Sequence, residues 1–413
     1  MRIVALTFGT EGDTRPMLAL CRGLADAGHD VVALAERSGQ AHAAALGIPF
    51  VPLAGDMAAE LHAASAGVSH KGGDVKYVAR ALAGIATRHT GAWMRATLEH
   101  ARGADAIVCA GLAIYVGLSC AETLAIPAIG AALQPMMPTR AFASPFLPPL
   151  RLPGWANRAS HRLVLAMMWR AFRRAINDAR RDVAGQPPRR HEWDGYPVLV
   201  GVSPTLVPRP PDAPARFSIT GYWWPPADDD HAPDAALDTF LAAGEAPVYI
   251  GFGSMLGFDL DRMLGIVLQS LDGRRALLSA GWSGFGEGTL PANVHRVGHV
   301  PHRWLFARTS IVVHHGGAGT THAVARAGAP SVVVPFAADQ FFWADRLRRL
   351  GMASRPIAQR SISAKALRAR LAEAGESAVR ERAIEVAWSM ATETGVANAV
   401  ARIEAILAPG AER

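Results

Sequence analysis

The chain has 413 residues, 50% of them hydrophobic and 19% charged, with a formal net charge of +7. That is an ordinary globular composition, long enough for two domains that each bury a core. The positive charge is almost all arginine, with Lys71, Lys76 and Lys365 the only lysines, so no lysine-rich or aromatic-interleaved basic block points to nucleic acid.

A positive field suits an anionic small molecule or an anionic surface. Cys21, Cys109 and Cys120 lack pairing or metal-ligand spacing, which fits a reducing cytosol. The apolar run Ala106–Ala121 is broken by glycines and stops at Glu122, short of the roughly 18–20 residues of a membrane span. A first strand begins at Arg2 with no cleavable leader ahead of it. A soluble, cytoplasmic protein is the expectation.

Arg2–Phe8 predicts a buried strand, and GTEGD at 9–13 the first strand-to-helix loop. Pro16 opens a helix that Gly28 ends. Strands follow at Asp30–Ala35 and Gly47–Leu53, making a Rossmann-like half whose loop lacks the dinucleotide spacing. Asp13 stands at the carboxyl end of the first strand. A partly desolvated carboxylate there can take a proton from a hydroxyl, or it can simply cap the helix. Glu11 and Arg15 read as surface or loop-pinning residues. His62, His70 and His89 show no metal spacing.

Asp105–Cys109 reads as a strand, Gly111–Thr123 as a helix and Ile126–Ala131 as a strand. Pro, Phe, Met and Leu then crowd the stretch from Gln134 to Trp155. Met57, Met136, Met137, Phe142 and Phe146 suit the wall of an apolar acceptor pocket; packing onto their own core suits them equally. Trp155–Val183 is amphipathic, with Trp169, Phe172, Ile176 and Val183 on one stripe. Arg170, Arg173, Arg174, Arg180 and Arg181 fill much of the rest. A solvated basic face and a membrane-surface contact are both open for it.

Tyr196–Val202 closes the first half, and a proline-rich linker covers 204–234. Its run Asp228–Asp230 reads as solvated linker rather than a metal site. Ala246–Phe252 opens the second half. Ser254 suits a diphosphate oxygen or a helix cap, and Trp282 a nucleotide base or plain packing. Arg275–Ala280 and His295–Gly298 are strands, the second followed by His299 and Val300.

Ile311–Val313, HHGGAGTT, a helix to Ala327, Ser331–Pro335 and a helix from about Asp339 form a parallel βαβ unit. Gly316, Gly317 and Gly319 let a ligand approach the backbone. The amides of Ala318, Gly319 and Thr320 are unpaired donors at a positive helix end, which suits a phosphate. His315 and the Thr320 hydroxyl add donors. A tight turn with a helix cap reads the same way. Three helices follow Gly351, with Trp388 as the expected anchor of the last.

FGTEGDTRP at 8–16, SITGYWWPP at 218–226, GFGSM at 251–255, HVPHRWLF at 299–306, VHHGGAGTT at 313–321 and PFAADQFFWADR at 335–346 occur in this order. Together they resemble the inverting transferases of the UDP-glycosyltransferase superfamily, most of all the sterol glucosyltransferase and antibiotic glycosyltransferase type. The resemblance implies an α/β GT-B architecture, two facing Rossmann-like domains across a deep cleft.

It also implies an acceptor domain at 1–203, a linker at 204–234, a nucleotide-sugar domain at 235–385 and a helix at 386–413 crossing back. The implied partners are a nucleoside-diphosphate sugar, most directly UDP-glucose, and a small, largely apolar hydroxylated acceptor. No cofactor, metal or nucleic acid is implied. Asp13 takes the place of the base. Asp339 and Gln340 hold sugar hydroxyls, His299 and Val300 lie by the base, and His315 with the 317–320 turn holds the diphosphate. A dTDP-deoxysugar transferase, a catalytically silent activating homologue and a nucleotide-sugar epimerase or hydrolase are the alternatives.

Overall fold

The computed structural model describes residues 1–57, 59–60, 75–148, 150, 152–226, 233–253, 259–281 and 289–408. His62, His70, Asp228–Asp230, Ser254 and Trp282 lie outside the described residues.

The N-terminal half runs β1 (Arg2–Phe8), α1 (Glu11–Asp26), β2 (Asp30–Glu36), α2 (Gln40–Ala45), β3 (Phe50–Leu53), α3 (Val75–Ala101), β4 (Ala106–Gly111), α4 (Ile114–Leu124), β5 (Ala128–Ala132), α5 (Gly154–Asp182), β6 (Val198–Val200) and β7 (Phe217–Ile219). The C-terminal half continues with α6 (Ala235–Ala242), β8 (Val248–Gly251), α7 (Leu260–Leu271), β9 (Ala276–Ser279), β10 (Val294–Val297), α8 (His302–Phe306), β11 (Ile311–His314), α9 (Ala318–Ala327), β12 (Ser331–Val333), α10 (Gln340–Arg349), α11 (Ala364–Ala374), α12 (Ser377–Ala391) and α13 (Gly395–Leu407).

The first sheet has seven strands in the order β3-β2-β1-β4-β5-β6-β7, the second five in the order β10-β9-β8-β11-β12. All pair in parallel. Their apolar runs are covered on both faces, as parallel sheets require. In each sheet the winding reverses once, at β1/β4 and at β8/β11. A crevice opens above the strand ends at such a reversal. The loops after β1, β8 and β11 are therefore placed to face a ligand.

The proline-rich segment is not all linker. Phe217–Ile219 adds a parallel strand to the first sheet through Val198↔Phe217 and Val200↔Ile219. Prolines flank this piece but do not interrupt it, so its amides remain free to pair. Beneath it, Met137, Val198, Val200 and Phe217 share a buried cluster with Val333, Trp343, Leu347 and Met390. The two halves are thus joined by an apolar seam.

α13 returns to the N-terminal half and packs on α1. Val400 and Ile403 enter its core, His29 Nε2 meets Glu404 at 3.1 Å, and Asn398 donates to the Thr220 carbonyl at 3.0 Å. Trp388, expected as the anchor, is 72% exposed; it lies on α12, before the crossing, and the aliphatic stripe of α13 does the anchoring. At the crossing, Gly395 lies against Gly221. A Cβ on Gly221, whose φ is +102°, would meet Gly395 Cα at 2.8 Å, and a Cβ on Gly395 would meet the Tyr222 oxygen at 2.2 Å.

Arg180 also departs from expectation. It is 1% exposed and donates to Glu122 at 3.1 Å and to the Pro187 carbonyl at 3.0 Å. The helical periodicity gave no sign of Glu122 behind it, because that partner comes from α4. Among the described residues no helix is long and apolar enough to cross a membrane.

Candidate functional site

At the end of β1, Thr10 precedes α1 and Asp13 sits in its first turn. Asp13 Oδ2 accepts from the Thr10 amide at 2.9 Å and the Thr10 hydroxyl at 3.3 Å. The carboxylate folds back over Gly9, where a Cβ would lie 2.3 Å from Oδ2. Burial raises its pKa above the ordinary aspartate value, and the two Thr10 hydrogen bonds offset part of the rise. Capping and a reactive carboxylate are therefore not alternatives here: one oxygen holds the helix while the group stays half-exposed at the crevice.

Across from it, β11 delivers His314 and His315 to a turn through Gly316 at φ +92°. A side chain at Gly316 would strike Val333 at 2.9 Å and the Gln340 carbonyl at 3.0 Å. Gly317 is the N-cap of α9, and no side chain caps it. The first-turn amides of Ala318, Gly319 and Thr320 thus point outward at a positive helix end.

His315 is sandwiched between two glycines. A Cβ on Gly317 would be 2.4 Å from its Nε2, and one on Gly253 2.9 Å from its Cε1. Its Nδ1 is buried and has no hydrogen-bond partner among the described residues. Burial keeps the ring neutral by lowering its pKa to about 4, and likewise His302 to about 4 and His314 to about 3. A neutral imidazole keeps one N–H to donate.

After β12, Ala338 is held at φ +54°, a conformation that costs energy for any residue with a Cβ. It turns Asp339 toward the crevice. Asp339 Oδ2 accepts from Trp343 Nε1 at 2.9 Å, and Gln134 of the N-terminal half also donates to this carboxylate. Burial first, then the negative charge of Asp13, push Asp339 up to about 6. The two carboxylates therefore feel each other across the halves. Gln340 Oε1 accepts from the Phe336 and Ala337 amides at 2.7 and 3.1 Å, so its oxygen shapes the turn.

Three further residues close the site. Arg15 Nη2 contacts His299 Nε2 across the halves and pairs with Glu11 at 2.7 Å. Tyr222 stacks on His322 at 4.3 Å between centroids, and its hydroxyl lies 3.1 Å from where a Cβ on Gly319 would be. Burial raises the Tyr222 pKa, and the charge of Asp13 adds to the rise. His42 approaches His299 at 6.2 Å. The Glu11-to-Arg15 spacing of four signalled a helical pair. Nothing local signalled that the arginine reaches the other half.

Residues 3–143 match the glycosyltransferase family 28 N-terminal domain, and residues 280–406 match the C-terminal domain of erythromycin biosynthesis protein CIII-like proteins. Over 417 residues the chain is 32% identical to sterol 3-beta-glucosyltransferase UGT80B1 of Arabidopsis thaliana, covering 97% of this chain and 67% of that one. The chain belongs to the sterol glucosyltransferase type of glycosyltransferases. It is 31% identical to the sterol 3-beta-glucosyltransferase of Komagataella phaffii, covering 97% of this chain but 34% of that protein. The chain thus spans about two thirds of the plant relative and a third of the fungal one. Among solved structures, the calicheamicin glycosyltransferase CalG4 superposes with a TM-score of 0.71 at 20% identity, covering 100% of this chain and 99% of that one. VinC, solved in complex with dTDP, gives 0.68 at 19% identity, covering 99% and 100%. These place the glycosyltransferase in the two-domain GT-B fold.

Within the glycosyltransferase, the structure gathers Asp13, His315, the 317–320 turn and Asp339 at one crevice. His299 is exposed and Val300 half-buried at its rim. The apolar residues divide. Met57 is 2% exposed and Met137 fully buried, so both are core packing rather than pocket wall, as the alternative reading had it. Met136 Sδ accepts from the Ser144 hydroxyl at 3.5 Å. Phe142 packs on His161 at 5.7 Å and on Phe342 of the other half at 5.4 Å. Phe146 is half-buried.

Proposed function

We propose that this glycosyltransferase moves glucose from UDP-glucose to the hydroxyl of a sterol or similarly apolar acceptor, with inversion at the anomeric carbon. Asp13 accepts the hydroxyl proton. The freed oxygen attacks the anomeric carbon from the face opposite the diphosphate, the bond to the diphosphate breaks, and UDP departs with the electron pair. The α9 amides and the His315 N–H stabilise the charge that builds on the leaving diphosphate. Asp339 receives sugar hydroxyls. Holding both substrates in one crevice supplies much of the acceleration. No metal or other cofactor enters the reaction, which runs in the cytoplasm.

The observation that carries this reading is the arrangement at one crevice of the Asp13 carboxylate folded over Gly9, the uncapped α9 N-terminus beside His315 and the Asp339 carboxylate held by Trp343. Sterol 3-beta-glucosyltransferase relatives support the acceptor class. The VinC complex with dTDP favours a second reading, a dTDP-deoxysugar donor.

Mass spectrometry of products from a matrix of UDP- and dTDP-sugars with sterols and natural-product aglycones separates the two. Asp13→Asn should cut turnover by at least roughly 100-fold with donor binding retained. Near-normal turnover in that variant removes Asp13 as base, and absence of any glycoside sinks the assignment. Chelator should leave the rate unchanged; loss restored by added metal overturns the metal-free scheme.

A further inference from the structure

We infer that the outward face of α5 docks on an anionic lipid surface. The inference is independent of the transferase reading, because it rests on the surface of the helix alone. Among the described residues seven large hydrophobic side chains are exposed, and four of them, Leu150 at 54%, Trp155 at 71%, Leu163 at 57% and Met167 at 61%, fall within residues 150–167. Single exposed hydrophobics are ordinary, but a cluster of them calls for a partner.

The helix already has a fully occupied inner face. Val164, Trp169, Phe172, Ile176 and Ala179 are buried, and α3 packs along it. The exposed set lies opposite. At 100° per residue Trp155, Leu163 and Met167 share one arc with Arg162, Arg170, Arg173 and Arg174, all exposed. From Trp155 to Met167 this arc runs roughly 18 Å along the axis.

The charge pattern selects the partner. No Asp or Glu occurs between Arg151 and Asn177. Asp178 and Asp182, at the C-terminal end, are engaged by Arg174 and Arg181. Asp194, which feels the charge of Arg162, is paired with Arg216. The arc thus presents guanidinium groups around a tryptophan and two long aliphatic side chains. Amphipathic helices that lie in the headgroup plane have this combination. A second copy seated on a twofold axis would set arginine against arginine, which disfavours self-association.

Behind the same helix lies the loop from Gln134 to Phe146. Ser160 Oγ accepts from the Ser144 amide at 2.8 Å, Asn157 donates to the Arg140 carbonyl at 2.9 Å, and His161 packs on Phe142. Docking would bring the bilayer to about one helix diameter, ~10 Å, from this loop.

Flotation of the full chain with vesicles of phosphatidylcholine plus phosphatidylglycerol, against phosphatidylcholine alone, tests the inference. The native chain should float with the anionic vesicles and detach progressively as salt is raised. The double variant Leu163→Asp/Met167→Asp should lose at least about tenfold in partitioning. Arg170→Gln and Arg173→Gln should each lose roughly fivefold, on anionic vesicles only. All four positions are exposed, and an unchanged thermal midpoint will show that each variant is folded. A native chain that stays off both vesicle types overturns the proposal, as do variants that float like the native chain. So does a dimer that Leu163→Asp/Met167→Asp dissociates, since the face would then belong to a second copy.

Discussion

Arg15 of α1 and His299 after β10 meet across the two halves. The arginine is held in place by Glu11, and its charge contributes to the lowered pKa values of His42 and His302. It is thus a cation that the first half contributes to the His299 side of the crevice, where the proposed reading puts the nucleotide. Arg15→Met keeps the aliphatic stem and removes the bond. Charge-assisted bonds of this kind contribute about 1.5–3 kcal/mol, so kcat/KM for the sugar nucleotide should fall by about tenfold or more. Steady-state kinetics with varied donor will measure it, and an unchanged value would make the contact incidental.

Gly9 gives room to the carboxylate of Asp13. The added methyl of Gly9→Ala would sit 2.3 Å from Oδ2, so the side chain must leave its position. Turnover should drop by roughly 100-fold or more, as for loss of a general base, while donor affinity stays close to native. Full turnover in this variant would mean that the base does not work from the observed position.

Gly317 adopts φ −62° and ψ 147°, a conformation open to any residue. Gly317→Ala therefore acts only by driving its methyl against His315 Nε2, 2.4 Å away. Calorimetric titration with UDP should show affinity reduced by about tenfold, in line with one lost donor to a charged group. Gly265→Ala is the control. It lies in α7 with nothing near the added carbon and should be neutral or slightly stabilising. Equal UDP affinity in both variants would remove His315 from the diphosphate site.

Acid should unfold the protein from about pH 6.5 downward. His161, His302, His315 and His322 are lowered by burial to about 4, and His314 to about 3. Between those values and the unfolded value near 6.5, the unfolded chain binds more protons, so stability falls as pH falls. Each ring accounts for roughly 3 kcal/mol across that window. Asp339, raised to about 6, and the Asp13 and Glu192 carboxyls, also raised by burial, work in the opposite sense as pH falls, but they are three groups against five. Denaturant midpoints measured from pH 7 to pH 4 should decline steadily, and a flat profile would contradict the neutral histidine cluster.

Local signals in the chain located the strands, the Gly316–Thr320 turn and Asp13, because each depends on neighbours in sequence: an apolar run, a glycine cluster, a carboxylate one turn into a helix. The partners of those residues were not legible. Gln134 on Asp339, Arg15 on His299 and Glu122 behind Arg180 are each brought together from distant segments. Composition left Met57 and Met137 open between pocket wall and core, and their burial, 2% and 0% exposed, decides for core. It misled at Trp388, which was expected as an anchor and is 72% exposed. The strand at Phe217–Ile219 was hidden by the prolines on either side.

The back-to-back glycines Gly221 and Gly395 let the outgoing and returning connections between the halves meet backbone to backbone, beside the Asn398–Thr220 hydrogen bond that fastens them. Two tethers that meet at one place behave as one pivot. The halves are left with rotation about that spot and little freedom to slide apart. Tyr222 sits next to the pivot with its hydroxyl near α9, so it should travel least of all when the mouth of the enzyme opens and shuts.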